Sequence, residues 1–266
     1  MAIITLTTDM GIKDYYVASL KGSIYSQLQD ITIVDISHHI PPFDIAQAAF
    51  VLKNCYRDFP KGTIHIMGVN PELGADVLHI IVEYSGQWFI GADNGIFSLL
   101  FDKQPEAVYE LTILPEVDEY TFPTKSVFVK AACHIARGGT PEIIGKRIEK
   151  IQIRQIFRPV ADEHAIRGGV QYIDEYGNVI TNITKSLFNE VGKGRPFTIY
   201  FRRASYDINT ISKSYNDVPE GEKVALFSSS GHLEIAINKG VEGNGGGANK
   251  LFGLKINDIV TIQFED

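Results

Sequence analysis

The chain has 266 residues, 44% of them hydrophobic and 21% charged, enough apolar material for two unequal packed cores. Its formal net charge is −7, and no Lys/Arg cluster exceeds a pair such as Arg202-Arg203, which argues against nucleic acid as a partner. No run approaches the roughly 18 apolar residues of a membrane span, and "MAIITLTTD" lacks the basic and apolar regions of a signal peptide, so a cytoplasmic protein with no membrane partner is expected.

Residues 3–7 form a short apolar strand, and residues 15–28 set Val17, Leu20, Ile24 and Leu28 on one helical face. Residues 31–36 read as a second buried strand. Residues 45–56 resume the helical period through Ile45, Ala48, Ala49, Leu52 and Tyr56, with Asp44 placed as N-cap. Strands over 63–69, 78–82 and 88–90 follow. A helix from Gly95 comes next, then another over 126–137 that Gly138-Gly139 should close. Such alternation predicts an α/β domain over residues 1–160, a Rossmann-like mixed sheet with helices on both faces. Ligands in folds of this kind bind outside the carboxyl ends of the strands.

The remainder, residues 165–266, reads as short strands at 169–173, 179–183, 197–202, 224–227, 233–237 and 259–264. Turn signals such as "DEYGN" and "SSSGH" separate them, which predicts a small all-β barrel or sandwich. The "GNGGG" stretch, 243–247, is expected to be a flexible loop, because the Lys-Ser/Thr of a P-loop and its helix are missing. Cys55 and Cys133 stand in separate apolar, helix-like segments, as reduced packed thiols do.

Side chains with chemistry gather where the first domain's strands end. Asp9 and Asp14 flank the first strand-to-helix turn in "TTDMGIKDYY". A carboxylate there can accept hydrogen bonds from paired sugar hydroxyls, although capping the next helix is the simpler reading. "DISHHIPPFD", residues 35–44, carries His38 and His39 without a third metal ligand, so no metal site is expected and solvated or loop-packing histidines are. The Asn94-Gly95 pair of "ADNGIF" needs only turn geometry. "MGVNPELG", residues 67–74, ends a strand yet offers no evident acid, base or nucleophile. No Gly-x-Gly-x-x-Gly follows the first strand, no Gly-x-Ser-x-Gly elbow appears, and Ser228 to Gly231 belongs to a β-turn.

Six blocks in order, "TLTTDMGIKDYYVASLKG", "ITIVDISHHIPPFDIAQAAFVL", "FPKGTIHIMGVNPELG", "GADNGIF", "VQYIDEYGNVITNI" and "FSSSGHLEIAINKG", resemble one family along nearly the whole chain. It is the S-adenosylmethionine (SAM) hydroxide adenosyltransferases, relatives of fluorinase and chlorinase enzymes. The resemblance implies an N-terminal α/β domain, a C-terminal β-barrel, and a homotrimer whose sites lie between neighbouring subunits. It implies attack on the ribose C5′ of SAM with loss of L-methionine. The partners are then small molecules (SAM, adenosine, L-methionine), and no separate cofactor is required.

Carried over by position, Asp9 would hold the ribose hydroxyls, Asp14 and Asp174 would face the methionine ammonium, and Ser229 would face its carboxylate. Phe43 would stack beside the sulfonium, Asn178 would bond the adenine edge, and Tyr215 would flank its ring. An aromatic wall suits a sulfonium because a π-face attracts a cation. The hydrolases' catalytic Asp, Arg and His fall on Asn70, Val77 and Pro123, none of which handles protons at neutral pH. Thr124 stands where the fluorinase uses a hydroxyl, and with Asn70 it is the candidate for orienting a water or an anion. Asn70 and Leu73 replace a Tyr and a Thr of that enzyme, and Ser230 and Ile237 replace two arginines. His38, His39 and His79 are the candidates for a substitute base. Two readings follow: an adenosyl-transfer enzyme of altered or reduced activity, and a non-catalytic SAM or adenosine sensor or interaction protein.

Overall fold

A run such as Ile-Ile-Thr-Leu-Thr-Thr with little alternation belongs inside a sheet covered on both faces. Ala2–Thr8 (β1) is such a strand, its last five residues buried. The computed structural model describes residues 2–74, 77–114, 120–155, 157–240 and 246–265, with backbone alone at 204 and 205. The chain splits into two compact units, Met1–Gln155 and Ile156–Asp266.

In the first unit β1 is followed by α1 (Tyr16–Gln27), β2 (Ile31–Ser37), α2 (Ile45–Lys53), β3 (Ile64–Gly68), β4 (His79–Tyr84), β5 (Gln87–Ala92) and α3 (Ile96–Leu100). Then come β6 (Ala107–Leu111), α4 (Lys130–Ala136), α5 (Pro141–Ile144) and β7 (Gly145–Ile148). The sheet order is β2-β1-β3-β5-β4-β6-β7. The first four strands are parallel and the rest antiparallel to their neighbours. On one face Ile4, Leu6, Ile64 and Ile66 pack with Leu20 and Ile24 of α1 and with Ala131 and Ala132 of α4. On the other, Met67, Val69, Ile80 and Val82 pack with Ala48 and Leu52 of α2 and Phe97 of α3. The expected mixed sheet with helices on both faces is therefore what the chain forms.

Local departures have local causes. The helix expected over 45–56 stops at Lys53 and gives way to a 3-10 turn, Tyr56–Asp58, while Asp44 caps its start by accepting the Gln47 N–H at 3.0 Å. The helix expected over 126–137 begins earlier, as a π-helical turn over Thr124–Val129, before α4 takes over. Beyond α4, Gly138 at φ +82° lets its own N–H and that of Gly139 reach back to the Ile135 and His134 carbonyls. The edge strand β7 reads Gly-Lys-Arg-Ile, too charged and short to signal itself, though charge of this kind is how exposed edges avoid mispairing.

The named strands of the second unit pair antiparallel: β8 (Val160–Ala161), β9 (Ala165–Ile173), β10 (Val179–Thr184), β11 (Phe197–Phe201), β12 (Arg203–Ile208), β13 (Lys223–Phe227), β14 (His232–Ile237) and β15 (Ile259–Phe264). Its order is β12-β11-β15-β9-β10-β14-β13, with β8 on β9. A bridge between Ser212 and Leu226 brings the two edges together, so the sheet curls into a nearly closed barrel. Ile166, Val170, Val179, Ile199, Leu233 and Ile235 fill it. Two short helices were not anticipated: α6 (Lys185–Gly192), capped by Thr184 Oγ1 accepting from Leu187 N–H, and α7 (Ala248–Phe252). Of the "GNGGG" loop, 243–245 lie outside the described residues.

Candidate functional site

Thr8 at the end of β1 lies opposite Gly68 at the end of β3. From β1 the chain passes through α1 to β2 on one side, and α2 then returns it to β3 on the other. The carboxyl ends of β1 and β3 thus flank a topological switch point, the position where an α/β sheet leaves a crevice.

The loops leaving β1 and β2 are braced together there. Asp9 Oδ2 accepts the Phe43 N–H at 2.9 Å, the Gly11 N–H donates to the His38 carbonyl at 2.7 Å, and Thr8 Oγ1 sits 2.8 Å from His38 Nδ1. Phe43 is held at φ +66° with its ring largely exposed. Asp14 is exposed, and Tyr15 is the N-cap residue of α1 with no side-chain capping bond, so neither aspartate is the helix cap that the simpler reading expected. His38 is a buried loop-packing residue and His39 is exposed. Asp35, 3.1 Å from His38 Nε2, also bonds Lys21. Burial pushes the Asp35 carboxyl up, but these partners outweigh it and hold it below its ordinary value.

After β3 the chain turns at Asn70 with φ +47°, a left-handed position Asn tolerates better than most residues. Asn94 builds this turn. Its Nδ2 donates to the Val69 and Asn70 carbonyls at 3.3 and 2.9 Å, and its Oδ1 accepts the Ile96 N–H at 3.2 Å. The "ADNGIF" asparagine therefore does more than shape its own turn. His79 Nε2 lies 2.8 Å from the Pro71 carbonyl, which makes Nε2 the protonated nitrogen, and burial lowers the ring's pKa. His79 is not a surface histidine: it is buried, with its ring edge-on to Phe128.

Val77 packs half-buried against the core, Leu73 is exposed, and Pro123 is buried where the π-helical turn begins. Thr124 beside it is fully buried and crowds Gly68: a Cβ at 68 would stand 2.8 Å from Thr124 Cγ2 and 3.1 Å from its Oγ1. Among the described residues, Thr7 Oγ1 and Thr124 Oγ1 are buried side-chain polar atoms without a hydrogen-bond partner, while the buried His38 Nε2 has the Asp35 carboxylate 3.1 Å away. Thr7 is the penultimate residue of β1, and Thr124 abuts the end of β3. Such atoms are rare in folded interiors, and their concentration at one sheet edge marks it as the chemically distinct part of the unit. Helical π-turns also favour functional sites.

In the second unit the β9–β10 turn carries Asp174 and Asn178. Asp174 Oδ1 accepts the Asn178 N–H at 2.8 Å and its Oδ2 accepts Asn178 Nδ2 at 3.0 Å, so both carboxylate oxygens are engaged within the turn. The Tyr215 hydroxyl donates to Glu234 Oε1 at 2.6 Å, and the negative charge of Asp174 acts on both. Ser229 is exposed at the β13–β14 turn, which the Gly231 N–H closes onto the Ser228 carbonyl at 2.9 Å. Ser230 Oγ lies 2.8 Å from Ser228 Oγ and 3.1 Å from His232 Nδ1. Asp174, Asn178, Tyr215 and Glu234 thus form one neighbourhood, with Ser229 at a separate turn. Asp9, Phe43, Asn70 and Thr124 belong to the sheet edge of the first unit.

Glu234, Asn94 and Thr8 were not anticipated. Only Glu234 had a sequence signal, a lone carboxylate inside the apolar strand Leu-Glu-Ile-Ala-Ile. Among the described residues no three His, Cys, Asp or Glu side chains gather to hold a metal, and no helix is long and apolar enough to cross a membrane.

Comparison with known proteins extends over both units. Residues 4–145 match the SAM hydroxide adenosyltransferase N-terminal domain and residues 168–261 its C-terminal domain. The chain is 30% identical to an (R)-S-adenosyl-L-methionine hydrolase of Thermus thermophilus, over 93% of this chain and 94% of that protein. It is 29% identical to a fluorinase of Nocardia brasiliensis, over 89% and 90% respectively. Among solved structures, an uncharacterized conserved protein from Thermotoga maritima superposes with a TM-score of 0.85 at 26% identity, over 99% of this chain and 100% of that one.

Proposed function

The chain belongs to the SAM hydroxide adenosyltransferase family, and on that premise we propose that it binds SAM and displaces L-methionine from C5′ without the hydrolases' proton-handling trio. In the displacement the C5′–S bond breaks, its electron pair stays on sulfur as the methionine thioether, and a C5′–O bond forms. With water as nucleophile, adenosine and one proton result. Asn70, Val77 and Pro123 supply no base for that proton, and loss of a general base costs about 10²–10⁴-fold in rate. Alignment of the reactants remains available to such a site. The observation that carries this reading is the buried Thr124 hydroxyl, unpartnered among the described residues and pressed against Gly68 at the switch point. It would orient the nucleophile, whether water or an anion, with Asn70 beside it. Asp9 and Phe43 would hold ribose and sulfonium, while Asp14, Asp174, Asn178, Tyr215 and Ser229 would hold the methionine and adenine ends in a homotrimer with inter-subunit sites.

A second reading, SAM or adenosine binding without turnover, is favoured by the histidines. His38 Nδ1 pairs with Thr8 and His79 Nε2 donates to Pro71, so both brace loops instead of facing a substrate as replacement bases. Incubation with SAM, followed by chromatography for adenosine, methionine and 5′-halogenated adenosine and by calorimetry, separates the two. Product formation that falls when Thr124 is changed supports displacement. Tight binding without product supports the module, and absence of SAM and adenosine binding would refute both.

A further inference from the structure

Glu234 has no role in the reading above, yet it is the most deeply buried carboxylate near the residues proposed to hold adenine. Along β14 Leu233, Ile235 and Ile237 enter the barrel core, so Glu234 and Ala236 face outward. Glu234 is nevertheless only 2% exposed. What covers that face includes the segment after β12, where Val218 packs against the small cluster of Val224, Leu226 and Ala236. Burying a carboxylate is costly unless a donor compensates it, and Tyr215 is that donor, at 2.6 Å. Burial raises the Glu234 pKa, with the negative charge of Asp174 adding to it and the Tyr215 hydroxyl opposing.

Tyr215 is constrained from its backbone as well. It opens a 3-10 turn, Tyr215–Asp217, closed by a reciprocal cap in which Ser214 Oγ accepts the Asn216 N–H and Asp217 Oδ2 accepts the Ser214 N–H. With its hydroxyl tied inward and its base capped, the ring has little freedom, yet it stays 39% exposed. A short strong hydrogen bond to a buried acceptor is more than a tyrosine needs for solubility. It is what a fixed aromatic surface requires, because a ring ordered beforehand forfeits less entropy on stacking.

We infer that Glu234 is a positioning residue: it anchors the Tyr215 hydroxyl so that the ring stands preset as a platform for the flat base of a nucleoside. This deepens the proposed function and rests on it. Asn178, which the proposal assigns to the edge of the same base, lies in the β9–β10 turn, two residues before Ile180, which pairs with Glu234.

The test is a double-mutant cycle on adenosine affinity, measured calorimetrically with the full chain. Glu234→Leu and Tyr215→Phe should each weaken binding roughly 10-fold by freeing the ring, and the double variant should lose no more than either alone. Glu234→Gln keeps an acceptor and should stay within about 3-fold of wild type, a rescue that loss of general stability would not produce. Additive losses approaching 100-fold, or no effect of Tyr215→Phe, would overturn the inference while leaving nucleoside binding intact. Should Glu234→Leu fail to fold, Tyr215→Phe and Glu234→Gln still decide it by the same thresholds. A wild-type protein that binds neither adenosine nor SAM would overturn the proposed function and the platform together.

Discussion

His65 is the second residue of β3 and has no exposure to solvent. Its Nδ1 lies 2.7 Å from Thr5 Oγ1 and its Nε2 3.3 Å from Gln87 Oε1, while its ring stacks on Phe89 at 4.6 Å. Gln87 in turn donates to the Phe59 carbonyl at 2.7 Å. Burial drives the imidazole pKa down to about 4, the bond to Gln87 offsetting only part of the shift. In the unfolded chain the ring protonates below about 6.5. As pH falls, the unfolded state therefore binds a proton first. The stabilisation is complete above about pH 6.5 and is lost between there and about pH 4. A gap of about 2.5 units at about 1.36 kcal/mol each is about 3 kcal/mol in full, of which about 2.5 kcal/mol is gone by about pH 4.5. The assay is urea unfolding at about pH 7.5 and 4.5, followed through Trp88. Trp88 is the only tryptophan in the chain and pairs with Ile64 beside His65, so it reports on the first unit. His65→Gln should shrink the pH-dependent loss by about 2.5 kcal/mol relative to wild type. Comparing variants cancels other acid-sensitive groups, including His79, whose lowered pKa acts in the same direction. Equal losses in the two proteins would refute the argument.

Other perturbations bear on the switch-point edge. Gly68→Ala places a methyl 2.8 Å from Thr124 Cγ2 and 3.2 Å from Thr8 Cγ2, so about 1–3 kcal/mol of stability should be lost in denaturant titrations. Adding Thr124→Ser, which removes that Cγ2, should restore part of it. Thr124→Val keeps the shape and removes the unpartnered hydroxyl, so thermal unfolding should show unchanged or higher stability, by up to about 1 kcal/mol, while any SAM turnover falls. Asn94→Ala breaks the bonds to Val69 and Asn70 and the one from Ile96, and should cost about 1–3 kcal/mol. Hydrogen exchange should then quicken around Asn70 and at the start of α3 before it does elsewhere in the unit.

The periodicity of the sequence determined the two architectures, the order of most elements and the caps that act within a few residues, as at Asp44. Its six blocks determined the family. These are properties of neighbouring residues or of long stretches read together, and a linear reading holds both. The tertiary structure alone decided which polar side chains work as units. Thr5 meets His65 and Thr8 meets His38 because parallel strands and their loops bring together residues 60 and 30 apart in the chain. Asn94 reaches Asn70 across 24 residues, and Tyr215 finds Glu234 across 19. Strands β6 and β7 likewise gained their place from the sheet that accepted them. A hydrogen bond depends on where the backbone has carried two atoms, and no spacing along the chain encodes that distance.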